Sequence, residues 1–319
     1  MNSQKKFIVS HAPFQHNGSS IGQRSYNIIL ATLPAILLGL FHYGASALGV
    51  ICLSISSAIF WELAMNRISK RPITIGDGNS AMVGIIFAML LPATTPWWAV
   101  ITGTFVAIII GKEIFGGIGS NAFNPAALSV LILILSWKNL FDFDQALLNY
   151  NFDFVAVYPL GALKHFGVGA VDPFNILDLF LGRQIGGIGS TFGLGLILGG
   201  GYLILRGFIR WEIPLSFLLG ISITALLFNI SDPARFVGPG FHLFTGYTLI
   251  GAFFLATEDS SSPVNTLPML LYGLGGGIMT VLIRNIGVYI DGVLYAILVM
   301  NMVSPLLDKI RPKAIGKVV

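Results

Sequence analysis

Residues 116–120 read Gly-Gly-Ile-Gly-Ser, and residues 186–190 repeat the same five letters. Each copy opens a strongly apolar stretch. A weaker match pairs residues 84–88 with residues 251–255, again inside apolar stretches. If these stretches cross a membrane, the order of crossings gives the members of each pair opposite directions. The repeats predict two halves of inverted topology, which commonly place a site at their interface; the alternative is chance similarity between glycine-rich membrane segments.

The composition indicates a membrane protein. Hydrophobic residues make up 55% of the 319 residues, charged residues only 10%, and the mean hydropathy is +0.81. Soluble proteins carry about 25% charged residues, so this chain cannot cover a globular surface. A soluble enzyme, a disordered protein and a nucleic-acid binder are therefore excluded, and the lipid bilayer is a predicted partner. The single cysteine, Cys52, excludes a four-cysteine iron–sulfur cluster, and no nucleotide fingerprint or metal-type histidine pair occurs.

Ten stretches approach the roughly 20 apolar residues that a spanning helix needs, although several are short or interrupted by Gly and Pro. They are 24–43, 45–65, 78–95, 97–113, 122–138, 190–206, 213–230, 240–257, 267–283 and 286–305. The predicted fold is an all-α integral membrane protein of about ten transmembrane helices in two inverted five-helix halves.

Most of the 18 Lys and Arg residues fall on the side that carries the N-terminus, so both termini are predicted to be cytoplasmic. The predicted order is a cytoplasmic N-terminal segment (1–23), a first transmembrane half (24–138), an outer segment (139–189), a second half (190–305) and a cytoplasmic tail (306–319). An outer connection of about fifty residues is long enough to be functional or disordered, and its aromatic content favours order.

The first glycine motif continues into Asn121 and Asn124, which precede Pro125. Glycine, here Gly119, lets the backbone approach a ligand closely, and the two amides can donate and accept hydrogen bonds. A helix that begins at Pro125 would offer a partly positive N-terminus to a flavin ring or an anionic tail. The alternative is that Asn124 only caps this helix.

Acidic residues in apolar surroundings are costly and indicate function by default. Glu62 and Glu113 lie nearest to apolar sequence and are candidates for a cation path. Asp77, Asp259 and Asp291 sit at predicted boundaries, where solvation is the simpler explanation.

Many motifs, in order and over nearly the whole chain, resemble the D subunit of the Rnf electron-transport complex, which is homologous to the B subunit of the sodium-pumping NADH:quinone reductase. They are Ser10–Pro13, Asp77–Ala81, Leu91-Pro92 with Pro96–Trp98, Gly116–Ala126, Arg210–Leu218, Gly251–Phe254, Ala256-Thr257, Ile283-Arg284, Tyr289–Val293, Asn301 and Pro305-Leu306. The resemblance implies one subunit of a multi-subunit redox pump in a bacterial or archaeal cell membrane, rather than a complete enzyme.

The resemblance also implies a flavin, FMN or riboflavin. Asn121 and Asn124 match asparagines associated with a non-covalent flavin near the membrane. Family members carry a second flavin, FMN, through a phosphodiester bond to a threonine of the outer segment. Here Tyr158 stands in that position, with Lys164 downstream. A phenol is a poor substitute for an aliphatic hydroxyl, so the sequence predicts non-covalent flavin. A further departure is Thr257-Glu258-Asp259, where members usually show Thr-Asp-Pro.

The expected function is therefore a membrane subunit that couples electron transfer of the ferredoxin/NAD type through flavin to sodium or proton translocation, with other Rnf-type subunits as partners. Inverted five-helix halves suit a channel or transporter without redox chemistry equally well. A degenerate, purely structural subunit is a third reading. Flavin content distinguishes the first reading from the other two.

Overall fold

The computed structural model describes residues 20–148, 150 and 152–310. The predicted motif at Ser10–Pro13 and most of the predicted tail lie outside these ranges. Within them the chain is helical, without strands. The α-helices are α1 Ile21–Ile68, α2 Asn79–Leu90, α3 Trp97–Phe105, α4 Pro125–Ser136, α5 Phe143–Ala146, α6 Pro159–Phe166, α7 Ile176–Phe180, α8 Gly193–Leu205, α9 Glu212–Ser231, α10 Pro239–Phe244, α11 Thr248–Ile250, α12 Thr266–Asn285 and α13 Val293–Leu307.

Helix α1 contains a break that divides it in two. Ser20 and Gln23 form a capping box at its start, which satisfies two free backbone N–H groups. Its 48 residues would reach about 70 Å at 1.5 Å per residue, far more than the roughly 30 Å of a bilayer core. Gly44 interrupts the helix with φ 60° and ψ −138°, a conformation that glycine adopts at little cost. The break lies between the predicted stretches 24–43 and 45–65.

In the part of the chain that the structure describes, three helices, α1, α9 and α12, are long and apolar enough to cross a membrane, while α2, α4, α8 and α13 are shorter apolar helices. Two predicted boundaries are wrong. The third stretch, predicted as 78–95, is helical only to Leu90, because Pro92 and Pro96 cannot continue a helix. The tenth, predicted from 286, begins at Val293, where the Asp291 side chain accepts from the Val293 N–H at 3.1 Å.

Two helices continue as π-helix. Helix α3 runs into a π-helical segment at Val106–Glu113, and α11 runs into another at Gly251–Leu255. Such segments are rare and frequently lie at functional sites, since the extra residue per turn redirects side chains. Here the first segment directs Lys112 inward and the second directs Phe253 and Phe254 inward.

Close packing between helices depends on glycine. Gly220 of α9 faces Gly277 of α12, where an added Cβ would meet backbone atoms of the other helix. Gly199 of α8 similarly lies against the Ala31 carbonyl of α1. Small residues allow backbones to approach within a bilayer, where association depends on van der Waals contact. The described part of the segment after α4 holds α5, α6 and α7 together with 3-10 turns.

Candidate functional site

A cavity of about 200 Å³ lies where the first glycine motif meets the second half of the chain. Gly119, Asn121 and Asn124 all line it. Its apolar wall is formed by Met82, Ile86, Phe253 and Phe254, and its charged groups are Arg24, Lys112, Glu258 and Asp259. An apolar wall with a few polar groups is the usual composition of a cofactor pocket.

Asn124 connects three helices. Its Oδ1 accepts from the Ala127 N–H at 3.0 Å, which caps α4, and its Nδ2 donates to the Leu255 carbonyl at 3.0 Å. Its own N–H donates to Asn301 Oδ1 of α13 at 3.2 Å. The Asn124 side chain therefore caps α4 through its oxygen, as the capping alternative states. Its nitrogen in addition binds the last carbonyl of the second π-helical segment.

Asn121 lines the same cavity. Its Nδ2 donates to the Phe123 carbonyl at 3.0 Å and to Glu258 Oε1 at 3.1 Å. Glu258 also accepts from the N–H and hydroxyl of Ser261. These contacts fix the amide plane of Asn121. Glu258, part of the departure from the family pattern, thus positions a predicted site residue.

The second copy of the glycine motif contacts the end of α2. The N–H groups of Ile188 and Gly189 donate to the carbonyls of Leu91 and Met89, at 2.9 and 3.0 Å. An added Cβ on Gly187 of the same motif would lie 2.7 Å from the Met89 carbonyl oxygen, so the backbones approach too closely there for a larger residue. The second copy therefore satisfies carbonyl groups at the end of α2, while the Leu255 carbonyl is satisfied by the side chain of Asn124, which follows the first copy.

Glu62 is a paired carboxylate. It is 1% exposed, and its Oε1 lies 2.8 Å from Lys112 Nζ. It also accepts from the hydroxyls of Ser80 and Thr74. Lys112 is 2% exposed and donates as well to Ser80 Oγ at 3.3 Å. A buried charge needs such partners, so the proposed path residue comes with its own counter-ion.

Glu113 lies beside this pair. It approaches Arg71 at 3.6 Å and Lys112 at 3.8 Å, and its side chain is 4% exposed. The structure thus brings both candidate path acids to one basic residue. At the edge of the cavity Arg24 forms an ion pair with Asp259, whose side chain is mainly exposed.

Tyr158 and Lys164 lie away from this cavity. Tyr158 is 5% exposed at the start of α6, its N–H donates to Asp144 Oδ1 at 2.7 Å, and its ring packs on Phe143 with centroids 4.8 Å apart. Lys164 Nζ donates to the carbonyls of Arg284 and Gly287 at the end of α12. Burial lowers the pKa of Lys164. Both residues have structural partners here.

Sequence reasoning missed a second buried cation, Arg284. Its guanidinium donates to Asp291 Oδ1, to the carbonyls of His242 and Thr245, and to Thr248 Oγ1. The expectation that Asp291 is merely solvated is wrong, because its side chain is 9% exposed and paired. Arg24 and Lys112 were also missed as cavity residues. For Arg24 and Arg284 the available signal was a basic residue next to an apolar run without an acidic residue in the adjacent sequence, whereas Lys112 directly precedes Glu113.

Comparisons with known proteins identify the family of the chain. The profile of the NQR2, RnfD, RnfE family matches residues 8–316. The D subunit of the Na(+)-translocating ferredoxin:NAD(+) oxidoreductase complex of Acetobacterium woodii is 35% identical over 307 residues, with 96% of this chain and 92% of that protein covered.

Two further relatives give the same result. The D subunit of the proton-translocating ferredoxin:NAD(+) oxidoreductase complex of Clostridium ljungdahlii is 36% identical over 310 residues, covering 95% of this chain and 94% of that protein. The D subunit of the ion-translocating oxidoreductase complex of Pectobacterium atrosepticum is 31% identical over 347 residues, covering 97% and 99%. Matched along almost its entire length, the chain is a membrane protein that belongs to the NQR2, RnfD, RnfE family.

Proposed function

We propose that this chain is the membrane-embedded RnfD component of an Rnf-type complex, which couples electron transfer between ferredoxin and NAD to translocation of sodium ions or protons. The observation that carries the proposal is full-length similarity to the RnfD components of such complexes. The other subunits of the complex are its partners. Relatives are named for sodium ions in one organism and protons in another, so the coupling ion is left to experiment.

The proposed topology is multi-pass, with about ten spans in two inverted halves, both termini in the cytoplasm and the segment 139–189 outside. Its support is the charge distribution together with the repetition of the glycine motif, whose second copy contacts the end of α2. The short helices α2 and α4 and the two π segments meet near the cavity, as expected where broken helices line a site.

The cavity is proposed to hold a non-covalent flavin, which when bound would supply one- and two-electron transfer. Asn121 and Asn124 would hold the polar edge of the ring by their amides, and Phe253 and Phe254 would exclude water from its face. Lys112 would stabilise negative charge. At about 200 Å³ the cavity is below the roughly 300 Å³ of typical ligand pockets, so Arg24 and Asp259 at its edge would separate to admit a whole flavin.

Covalent FMN does not fit the outer segment. No serine or threonine occurs between residues 137 and 189, so that segment has no aliphatic hydroxyl for a phosphodiester bond. Tyr158, in the expected position, is 5% exposed and lies under α6. The nearest hydroxyls, Ser190 and Thr191, are each 5% exposed. This chain is therefore proposed to carry only dissociable flavin.

The test is the intact mass of the purified chain together with flavin extraction from the same complex. The proposal expects an unmodified mass and extractable flavin, with flavin content reduced in Asn121→Ala and unchanged in Tyr158→Phe. A mass increase of one FMN would contradict the dissociable assignment. An intact complex without flavin would instead favour a channel, a transporter or a structural subunit, which the inverted halves also suit.

A further inference from the structure

Lys112 both lines the cavity and forms an ion pair with Glu62. It lines the cavity beside Asn79 and Asn124, and its ammonium lies 2.8 Å from the Glu62 carboxylate. It stands in the π-helical segment Val106–Glu113, which sets it between the two. A movement of one flexible side chain would thus exchange the partner of a buried positive charge.

The surroundings of Glu62 suit a small cation. The hydroxyls of Ser80 and Thr74 both donate to the Glu62 carboxylate, so three oxygen-bearing side chains are grouped there, and the ammonium bonds to two of them, Glu62 and Ser80. Asn66 Nδ2 holds Thr74 Oγ1 in place at 2.9 Å. Oxygen ligands are those that hard cations prefer. If the ammonium left, the same oxygens would remain to bind a replacement.

Charge balance requires such a replacement. The charged groups around Glu62 are Lys112, Glu113 and Arg71, two acids and two bases in all. Withdrawal of the Lys112 ammonium would leave one unpaired buried negative charge, which is costly unless it is compensated.

The other buried cation shows why Lys112 can move. Arg284 is held by the Asp291 carboxylate, two carbonyls and the Thr248 hydroxyl, so its planar fork is fixed from several directions. Lys112 has hydrogen bonds only to Glu62 and Ser80 among the described residues. Lysine is also a point charge on a flexible four-carbon stem, unlike arginine.

We propose that Lys112 is an internal counter-cation that exchanges between Glu62 and the cavity. With a neutral ligand in the cavity, its ammonium rests on Glu62. When a negative charge arrives in the cavity, the ammonium turns toward that charge. Glu62, with Ser80 and Thr74, then takes up one small monovalent cation, a sodium ion or a proton. One negative charge and one cation enter together, so the buried charge stays balanced.

This inference rests on the proposed function, since the negative charge is the one that electrons from an iron–sulfur reductant of the ferredoxin class bring to a bound flavin. The only covalent change in these residues is an O–H bond on Glu62 when the cation is a proton. Lys112 is a positioning residue and does not itself transfer electrons.

The test is the midpoint potential of the dissociable flavin in the purified complex, measured by spectroelectrochemistry. Sodium chloride is varied against choline chloride at constant ionic strength, and pH is varied separately. In the native complex the potential is expected to rise with the concentration of one cation, which identifies it. In Glu62→Gln the midpoint potential is expected not to change with cation concentration, at normal flavin content. In Lys112→Met the midpoint potential is expected to be lower than in the native complex and likewise independent of cation concentration.

Two further variants make the result decisive. Lys70→Gln replaces a lysine from the same part of the chain that lies outside the buried cluster and is expected to retain the native response. The double variant Glu62→Gln/Lys112→Met removes both buried charges, so it replaces a single variant that fails to assemble. Its midpoint potential is expected not to change with cation concentration. A native response in Glu62→Gln, or no response in the native complex, would overturn the exchange. A native complex that lacks flavin would instead overturn the proposed function.

Discussion

Asn124 Nδ2 donates a hydrogen bond to the carbonyl oxygen of Leu255, 3.0 Å away. The two residues are 131 positions apart in the chain, so this bond joins the start of α4 to the end of the π segment Gly251–Leu255. The same side chain caps α4 through its oxygen. One asparagine thus holds two helix ends in register at the wall of the cavity.

Replacement of Asn124 should separate these two roles. Asn124→Ala removes the cap, at a cost of about 1 kcal/mol, and leaves the buried Leu255 carbonyl unsatisfied, at about 1–3 kcal/mol more. Asn124→Ser keeps a capping oxygen but is too short to reach Leu255. Melting temperature and flavin content of the complex should fall in the order native, serine variant, alanine variant. Equal losses in both variants would show that the cap contributes nothing.

The Arg284–Asp291 pair should contribute far more to stability than a surface pair. Its side chains are 1% and 9% exposed, against 63% and 42% for Arg183 and Asp178. Asp291→Asn leaves a buried guanidinium without its counter-ion and should destabilise the protein by roughly 3–5 kcal/mol. Asp178→Asn is the matched control and should cost less than about 1 kcal/mol. Thermal unfolding in detergent compares the two; similar melting temperatures would show that Arg284 is not truly desolvated.

Alanine substitutions at two glycines of α8 should have different effects on the stability of the protein. An added Cβ on Gly199 would overlap the Ala31 carbonyl of α1, whereas an added Cβ on Gly201 meets nothing within 4 Å. Gly199→Ala should therefore overpack the interface and cost about 1–3 kcal/mol. Gly201→Ala should be neutral or stabilise by up to about 1 kcal/mol through helix propensity. Unfolding temperature is the measurement, and a tolerant Gly199 variant would mean that α1 and α8 can move apart freely.

The stability of the segment 139–189 should depend on pH through Asp144. Burial raises the pKa of this carboxyl, and the hydrogen bond from the Tyr158 N–H opposes that effect only in part. Because the folded state binds this proton more tightly than the unfolded state, stability increases as pH falls through the folded-state pKa and is lost as pH rises again. Limited proteolysis of residues 139–189 should therefore be slower at mildly acidic than at neutral pH.

Asp144→Asn keeps an oxygen for the Tyr158 N–H and removes the charge, so it should abolish this pH dependence and slow cleavage at neutral pH. Asp153→Asn, at a position outside this contact, is the control and should retain the native profile. An unchanged profile in the Asp144 variant would place the responsible group elsewhere.

The membrane class and the family followed from the sequence because both depend on composition and on the order of local motifs. The sequence grouped Gly119, Asn121 and Asn124 because they lie in one short motif, and the structure has all three line one cavity. That they bind a flavin stays a prediction. Tyr158 and Lys164 could not be placed, because their partners Asp144, Arg284 and Gly287 are chosen by the folding of the outer segment. Helix limits were wrong at Leu90 and Val293, where hydropathy continues but backbone geometry does not.

By itself, the sequence determined that this chain lies in a membrane, that it belongs to one family, and that its glycine motif occurs twice. Only the tertiary structure decided which charges meet. Glu62 and Lys112 are 50 positions apart, yet their charged atoms lie 2.8 Å from each other. An apolar stretch can be recognised from the sequence as a buried helix because burial of apolar surface is non-directional and needs no particular partner. A buried ion pair requires two particular atoms at one distance in a medium of low dielectric constant, and only the packed helices provide that.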